Sequence, residues 1–261
     1  MILSIADSSA SFYNATEEKY ALKEVFETID ENSCPLSFNF HMHTVHSDGQ
    51  LEPEILLKQA IDIGLKGMAI TDHHTIGGYA IVRRLLDSWE GNLQESQSQG
   101  KLYTFYPQAH QRNSQNNSQN NVKIPRLWTG VEITAEIIGI KVHILGYAFD
   151  PEATSMQPYL QGKEPVGSDY QAIRVISAIQ EAAGLAVLAH PERYRRSAEK
   201  LIPEAAHLGI DGVETYYAYQ NPKPWSPSPK QTKTVRKLAE TYGLLQTCGT
   251  DTHGSNLLLR R

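Results

Sequence analysis

The sequence predicts an α/β fold built on a parallel sheet that closes, or nearly closes, into a barrel. Three observations predict it. Short apolar runs alternate with amphipathic helical segments, the order that links parallel strands through crossover helices. The repeats are numerous, and 261 residues is a length at which α/β barrels form one unit. Leu185–Ala189 is nearly all apolar, as in a strand buried on both faces.

The elements follow in order. Residues 1–36 read as an N-terminal extension with one amphipathic helix, Glu17–Ile29, whose Ala21, Leu22, Val25, Phe26 and Ile29 recur at helical spacing. This helix is expected to pack outside the main fold, and Cys34-Pro35 ends the segment. The main domain, 37–261, opens with a strand at Phe38–Met42. Pro53 and the acids Glu52 and Glu54 start a helix that stops at Gly64. Gly67–Thr71 is a strand and Tyr79–Trp89 a helix. Residues 94–121 break the alternation. Within them, ten of the eleven residues Gln111–Asn121 are Gln, Asn or Ser. Such a tract buries too little apolar surface to offset its ordering entropy and reads as a mobile insertion. Leu127–Thr134 and Lys141–Ala148 read as a hairpin turning at Ile138-Gly139. Helices follow at Asp169–Ala183, Ser197–Leu208 and from Pro229 to Tyr242. Strands alternate with them at Leu185–Ala189, Gly212–Tyr216 and Leu244–Gly249.

Composition narrows the function. Hydrophobic residues make up 40% and charged residues 20%, enough for a large core. The chain has no apolar run long enough to cross a bilayer and no secretory-type N-terminus, and its two cysteines build no disulfide framework. A cytoplasmic protein without membrane contact is expected. Net charge is −5, so long nucleic acid is not an expected partner, while a small anionic substrate is compatible. Oligomeric state is not legible.

The chain holds ten histidines, and their placement matters more than their number. Six strand ends carry metal-binding residue types. These are His41-Met42-His43 with Ser47-Asp48-Gly49, Thr71-Asp72-His73-His74-Thr75, Glu132, His143, His190, and Asp251-Thr252-His253. In an α/β barrel, strand C-termini converge on one face, so these residues are expected in one cleft. On a strand the two imidazoles of His-X-His point the same way. A His and carboxylate mixture without Cys suits Zn, Mn or Fe in a hydrolytic role.

The pattern resembles the PHP (polymerase and histidinol phosphatase) family of metal-dependent phosphoesterases. The resemblance rests on His41-Met42-His43-Thr44-Val45-His46-Ser47-Asp48-Gly49, Thr71-Asp72-His73-His74-Thr75, Gly130-Val131-Glu132, Val142-His143-Ile144-Leu145-Gly146, Ala189-His190-Pro191 and Gly249-Thr250-Asp251-Thr252-His253, and covers roughly residues 37–255. It implies a distorted seven-stranded (β/α) barrel and two to three divalent metal ions in a trinuclear centre. His41, His43, Glu132 and Asp251 would hold one metal, and Glu132 would bridge to a second completed by His143 and His190. Asp48, His73 and His253 would hold the third. Every one of these positions carries a competent ligand. The branch of nucleoside 3′,5′-bisphosphate phosphatases and 5′-3′ exoribonucleases is the most similar.

The resemblance implies hydrolysis of phosphate monoesters of small phosphorylated compounds by metal-activated hydroxide, with nucleotides or short oligonucleotide ends as substrates. Histidinol-phosphate-type phosphatase and 5′-3′ exoribonuclease are the alternative enzymes, and a metal-bound regulatory module is the non-enzymatic one. Glu132, Asp251 and Arg193 are the expected catalytic residues, Arg193 as a fork on phosphate oxygens. Arg195 and Arg196 read as solvated loop charges. Asp72 is expected to orient a ligand. His46 and His74 adjoin ligands without matching a ligand position, and His110 and His207 read as incidental. Cys248 reads as core. Glu214, Tyr216, Tyr217 and Tyr219 are open between site-lining and structural roles. Only 46 residues separate His143 from His190, so a shallow lid is expected.

Overall fold

A computed structural model describes residues 14–96, 104–105 and 123–261. Helix α1 (Ala15–Phe26) is capped by Asn14, whose side-chain oxygen accepts from the Glu17 N–H at 3.3 Å. Its Leu22 and Phe26 join a buried cluster with Phe40, Trp128, Tyr147 and Cys248. Phe26 meets Phe40 edge-on at 5.0 Å and Tyr147 at 5.6 Å. The helix expected outside the main fold therefore contributes to its core.

Strand β1 (Phe38–Asn39) leads through a loop to α2 (Pro53–Ile63). Helix α2 begins at Pro53 and ends at Gly64, whose φ of 84° is the left-handed stop that its sequence predicts. Then come β2 (Gly67–Ala69) and α3 (Gly77–Ser96). Strand β3 (Thr104–Phe105) pairs in parallel with β4 (Lys123–Ile124). The interval 94–121 thus contains the end of α3 and β3, while the tract Gln111–Asn121 lies outside the described residues.

Strands β5 (Arg126–Trp128), β6 (Gly130–Ile137) and β7 (Ile140–Tyr147) follow. Strands β6 and β7 form the expected hairpin, paired from Gly130–Tyr147 to Ile137–Ile140. The remainder alternates as α4 (Ala172–Glu181), β8 (Leu185–Leu188), α5 (Ala198–His207), β9 (Gly212–Tyr216), α6 (Pro229–Tyr242) and β10 (Leu245–Cys248). The helix expected from Asp169 is split. A 3-10 turn at Gly167–Tyr170 precedes α4, because Gln171 is extended and bridges to Glu136 of β6.

Strand pairing bears out the mixed α/β fold with parallel strands but shows no closed seven-stranded ladder among the described residues. The ladders form a three-stranded sheet, β1-β2-β5, and a five-stranded sheet, β10-β9-β8-β7-β6. Strands β8, β9 and β10 are parallel, and β7 is antiparallel to both neighbours. Isolated parallel bridges, Met42 to Thr252 and His73 to Glu132, link the two sheets at the seams. On one side Phe40 N donates to Cys248 O at 3.1 Å and Asp251 N to His41 O at 2.8 Å. On the other His74 N donates to Glu132 O at 3.0 Å. Regular pairing stops there because β1 and β2 give way to irregular backbone where the His-rich segments begin. Helices α4, α5 and α6 cover the larger sheet through a core that includes Val131, Ile144, Ile176, Leu188, Leu201 and Val235. No helix among the described residues is long and apolar enough to cross a membrane.

Candidate metal centre

The backbone just beyond β1 carries His41 and His43, both fully buried and 5.2 Å apart between ring centroids. Their shared direction follows from the two-residue period of extended chain. Both Nε2 atoms lie 3.0 Å from Glu132 Oε2. Asp251 Oδ1 is 3.5 Å from His41 Nε2 and 3.3 Å from His43 Nε2. Glu132 lies inside β6, two residues past its start, rather than at a strand end.

The other oxygen of Glu132 faces the opposite way. Its Oε1 lies 2.7 Å from His143 Nδ1 and 3.2 Å from His190 Nε2. His73 Nε2 is 3.6 Å from Glu132 Oε2 and 3.8 Å from Asp48 Oδ1. His253 Nε2 is 3.2 Å from Asp48 Oδ2. Three donor groups result: His41, His43, Glu132 and Asp251; His73, Glu132 and His143; and His43, Asp48, His73 and His253. All the metal-ligating positions expected from sequence meet in one place, with His190 reaching it through Glu132. Two assignments are blurred: His43 and His73 each belong to two groups.

Glu132 is hydrogen-bonded to His41, His143 and His190, but the geometry at His43 fits a shared metal ion better than a hydrogen bond. His43 Nε2 is buried and makes no hydrogen bond, although a Glu132 oxygen lies only 3.0 Å away. Nitrogen and oxygen are thus close without pointing at each other, as when both aim at a common point. Bonds of roughly 2.0–2.1 Å to one ion place adjacent donors about 3.0 Å apart in an octahedron and about 3.4 Å apart in a tetrahedron.

Electrostatics agree. Burial opposes charge on Glu132, yet His41 and His143 hold its pKa well below the usual carboxylate range. Asp251 is depressed in the same way, with His41 and His43 outweighing burial. Burial also opposes charge on His41, but Glu132, Glu214 and Asp251 raise its pKa well above the ordinary value. For His43, Asp251 and Glu132 overcome burial and push the pKa up to about 9. Burial dominates at His73, which falls to about 4. The cluster therefore holds ionised carboxylates that demand cations, either imidazolium or metal.

A surrounding ring of residues fixes these groups. Glu214 Oε1 lies 3.0 Å from His41 Nδ1, and Glu214 Oε2 accepts from the His190 N–H at 2.9 Å. Tyr194 Oη accepts from the His143 N–H at 2.7 Å and donates to Ala189 O at 3.2 Å. Asp72 accepts from Thr44 N at 2.7 Å and from Ser47 Oγ at 2.9 Å, so it pins the loop after His43 rather than a ligand ring. Asp251 Oδ2 accepts from Tyr217 Oη at 2.6 Å, Arg193 Nη1 at 2.8 Å and Arg260 Nε at 2.8 Å. Arg193 is thus held on a carboxylate, not standing free as a fork. Gly249 leaves room for the approach of β10, since a Cβ there would sit 2.2 Å from His41 Cβ. His74, His190 and Asp251 all adopt left-handed backbone, at φ of 56°, 28° and 52°. Such strain in non-glycine residues clusters at functional sites.

Several residues stay outside. Arg195 and Arg196 are exposed, and His207 ends α5. His110 lies outside the described residues. Cys248 is buried in the core, as expected. Arg260 and Tyr194 escaped sequence reasoning, because neither sits in a recognisable spacing with the histidines. A cavity of about 500 Å³ opens beside the centre, lined by Ser47, Asp48, His73, His74, Thr134, His143 and Glu164 among others.

Comparison with known proteins adds to this geometry. The chain matches the PHP domain over residues 39–243. It is 26% identical to the 5′-3′ exoribonuclease Rnm of Escherichia coli K12, across 86% of this chain and 88% of that protein. The 5′-3′ exoribonuclease of Haemophilus influenzae is 23% identical, across 83% and 89%. A solved structure described as a metal-dependent phosphoesterase from Bifidobacterium adolescentis superposes with a TM-score of 0.57 at 21% identity, covering 85% of this chain and 89% of that one. An amidohydrolase from Chromobacterium violaceum gives 0.58 at 18% identity, covering 86% and 90%. These two likenesses show a common fold. Asp251 and His253 lie past the matched span, and it is their position beside His43 and Asp48 that ties them to the centre.

Proposed function

The chain belongs to the PHP domain family of metal-dependent phosphoesterases, and from that premise we propose that it hydrolyses phosphate monoesters of nucleotides, with nucleoside 3′,5′-bisphosphates as leading substrates. The observation that carries the metal reading is Glu132, which turns one oxygen to His41 and His43 and the other to His143 and His190. His41, His43, Glu132 and Asp251 would hold one divalent ion; Glu132, His143 and His190, with His73 nearby, a second; Asp48, His73 and His253 a third. Manganese, zinc and iron suit this donor set. Such ions supply Lewis-acid charge at phosphoryl oxygens and make water a stronger nucleophile at neutral pH.

The chain's own groups do the rest. Glu132 and Asp251, both ionised, define where positive charge collects. Arg193 is the expected phosphoryl contact, since its side chain is 38% exposed and sits against Asp251. The cavity beside His73 and His143 is the natural seat for the alcohol part of the ester. The side chains named along it are polar or ionisable, which suits a ribose better than reading of a particular base.

A second reading has its own support. The curated relatives named above are 5′-3′ exoribonucleases, so the 5′ end of an RNA would enter the same centre. Steady-state kinetics with Mn²⁺-loaded protein separate the readings. Adenosine 3′,5′-bisphosphate turned over faster than 5′-phosphorylated RNA supports the first. Efficient RNA degradation with poor bisphosphate turnover selects the second. Selective turnover of histidinol phosphate rejects both.

A further inference from the structure

We propose that Arg260 is a positioning residue that keeps Asp251 in place while Arg193 engages substrate. The proposal rests on the metal-centre reading above. Asp251 has two oxygens with separate tasks. Oδ1 faces His41, His43 and His253 at 3.5, 3.3 and 3.3 Å. Oδ2 faces away from the imidazoles and accepts from Arg193, Arg260 and Tyr217. One oxygen with two guanidinium partners holds more cation than a single carboxylate needs.

The two arginines differ in freedom. The Arg193 side chain is 38% exposed and lies in the short 3-10 turn after His190. The Arg260 side chain is 11% exposed. Its backbone is fastened on several sides. His253 N donates to Arg260 O at 2.8 Å, and Thr252 Oγ1 donates to Leu259 O at 2.9 Å. Leu257 is fully buried, and its N–H donates to Gln59 Oε1 at 2.9 Å. Segment 257–260 is thereby stitched to α2 and to the loop holding Asp251 and His253. An arginine so held cannot follow a substrate. Arg193 can turn toward a phosphoryl group, and Arg260 with Tyr217 then remains to hold Oδ2. Without Arg260, Oδ2 keeps only Tyr217 and a half-exposed arginine that solvent can draw away, so even before substrate binds the carboxylate is free to rotate.

The division of labour predicts opposite signatures, read with Zn²⁺ competed against a chromophoric chelator and with bisphosphate kinetics at saturating Mn²⁺. Arg260→Met is expected to weaken metal affinity about 10- to 100-fold, the usual effect of losing an outer partner of a ligand. Its KM should stay within about twofold of wild type at saturating metal. Arg260→Lys, which keeps a charged donor, should recover much of the affinity. Arg193→Met should raise KM by about tenfold or more and cost clearly less metal affinity than Arg260→Met does. Unchanged or tighter metal binding in Arg260→Met overturns the proposal, the latter because it would show that Arg260 merely repels cations. A raised KM with normal metal affinity overturns it too, making Arg260 a substrate contact. If Arg260→Met does not fold, Arg260→Gln, which removes the charge but keeps a donor, decides: a several-fold loss of metal affinity supports the role, and none rejects it. Metal binding is measured without substrate, so a failure of the nucleotide reading leaves this test intact.

Discussion

His41 Nδ1 lies 3.0 Å from Glu214 Oε1, with both side chains fully buried. A carboxylate there accepts the Nδ1 proton and leaves Nε2 turned toward Glu132 and Asp251. The same Glu214 also receives the His190 N–H, so one carboxylate fixes two corners of the centre. Glu214→Gln preserves shape and removes charge. It is expected to weaken metal affinity about 10- to 100-fold, measured by chelator competition, with circular dichroism unchanged. Wild-type affinity would show that the contact is only structural.

Glu132→Gln addresses the bridge directly. The substitution keeps the side-chain volume and removes a charge that two ions would share. We expect loss of nearly all phosphoesterase activity with the fold retained. A variant keeping more than about a tenth of wild-type kcat, a loss below ~1.4 kcal/mol in the barrier, would show that Glu132 does not bridge.

Protons and metal compete for the same imidazoles. Without metal, Asp251 and Glu132 outweigh burial and push the His43 imidazole up to about 9. Its charge therefore stabilises the metal-free fold fully below about pH 6.5, and that contribution is lost as pH rises through about 9. Two outcomes follow. The thermal midpoint of metal-free protein should fall between pH 7 and 10 relative to metal-loaded protein. Metal uptake at pH 7 should release protons, seen as a binding enthalpy that changes with the ionisation enthalpy of the buffer. Uptake without proton release would mean that the imidazoles are already neutral.

Base discrimination should be weak. The cavity beside His73 and His143 is shallow and lined by imidazoles, hydroxyls and carboxylates, groups that hold any base or sugar without a pocket shaped to one base edge. Across adenosine, guanosine, cytidine and uridine bisphosphates, kcat/KM is expected to vary by less than about a hundredfold, or ~2.7 kcal/mol. A larger spread would reveal a base-reading surface elsewhere on the protein.

Much of the centre is legible in the amino-acid order. His41 and His43 follow a strand whose two-residue period aims both rings one way, and that period is a property of the chain alone. Gly64 announces the end of α2 by its tolerance of φ 84°. Other features are not legible there. Phe26 belongs to the core because Phe40 and Tyr147 meet it, and helical spacing says only that one face is apolar. Tyr194 matters because its hydroxyl reaches the backbone of His143, 51 residues earlier. No local pattern encodes a contact of that kind.

The amino-acid order by itself determined the alternation of strands and helices, the ligand types, and the placement of most ligands just past strand ends, while Glu132 and His143 lie inside strands. Those are local matters, set by side-chain period, turn residues and donor chemistry. Tertiary structure decided how the strands divide between two sheets, which oxygen of Glu132 and of Asp251 faces which imidazole, and which arginine is held and which is exposed. The reason is physical. Orientation of a buried carboxylate is fixed by all the donors packed around it, and for Asp251 those come from Tyr217, Arg193 and Arg260, which only folding brings together.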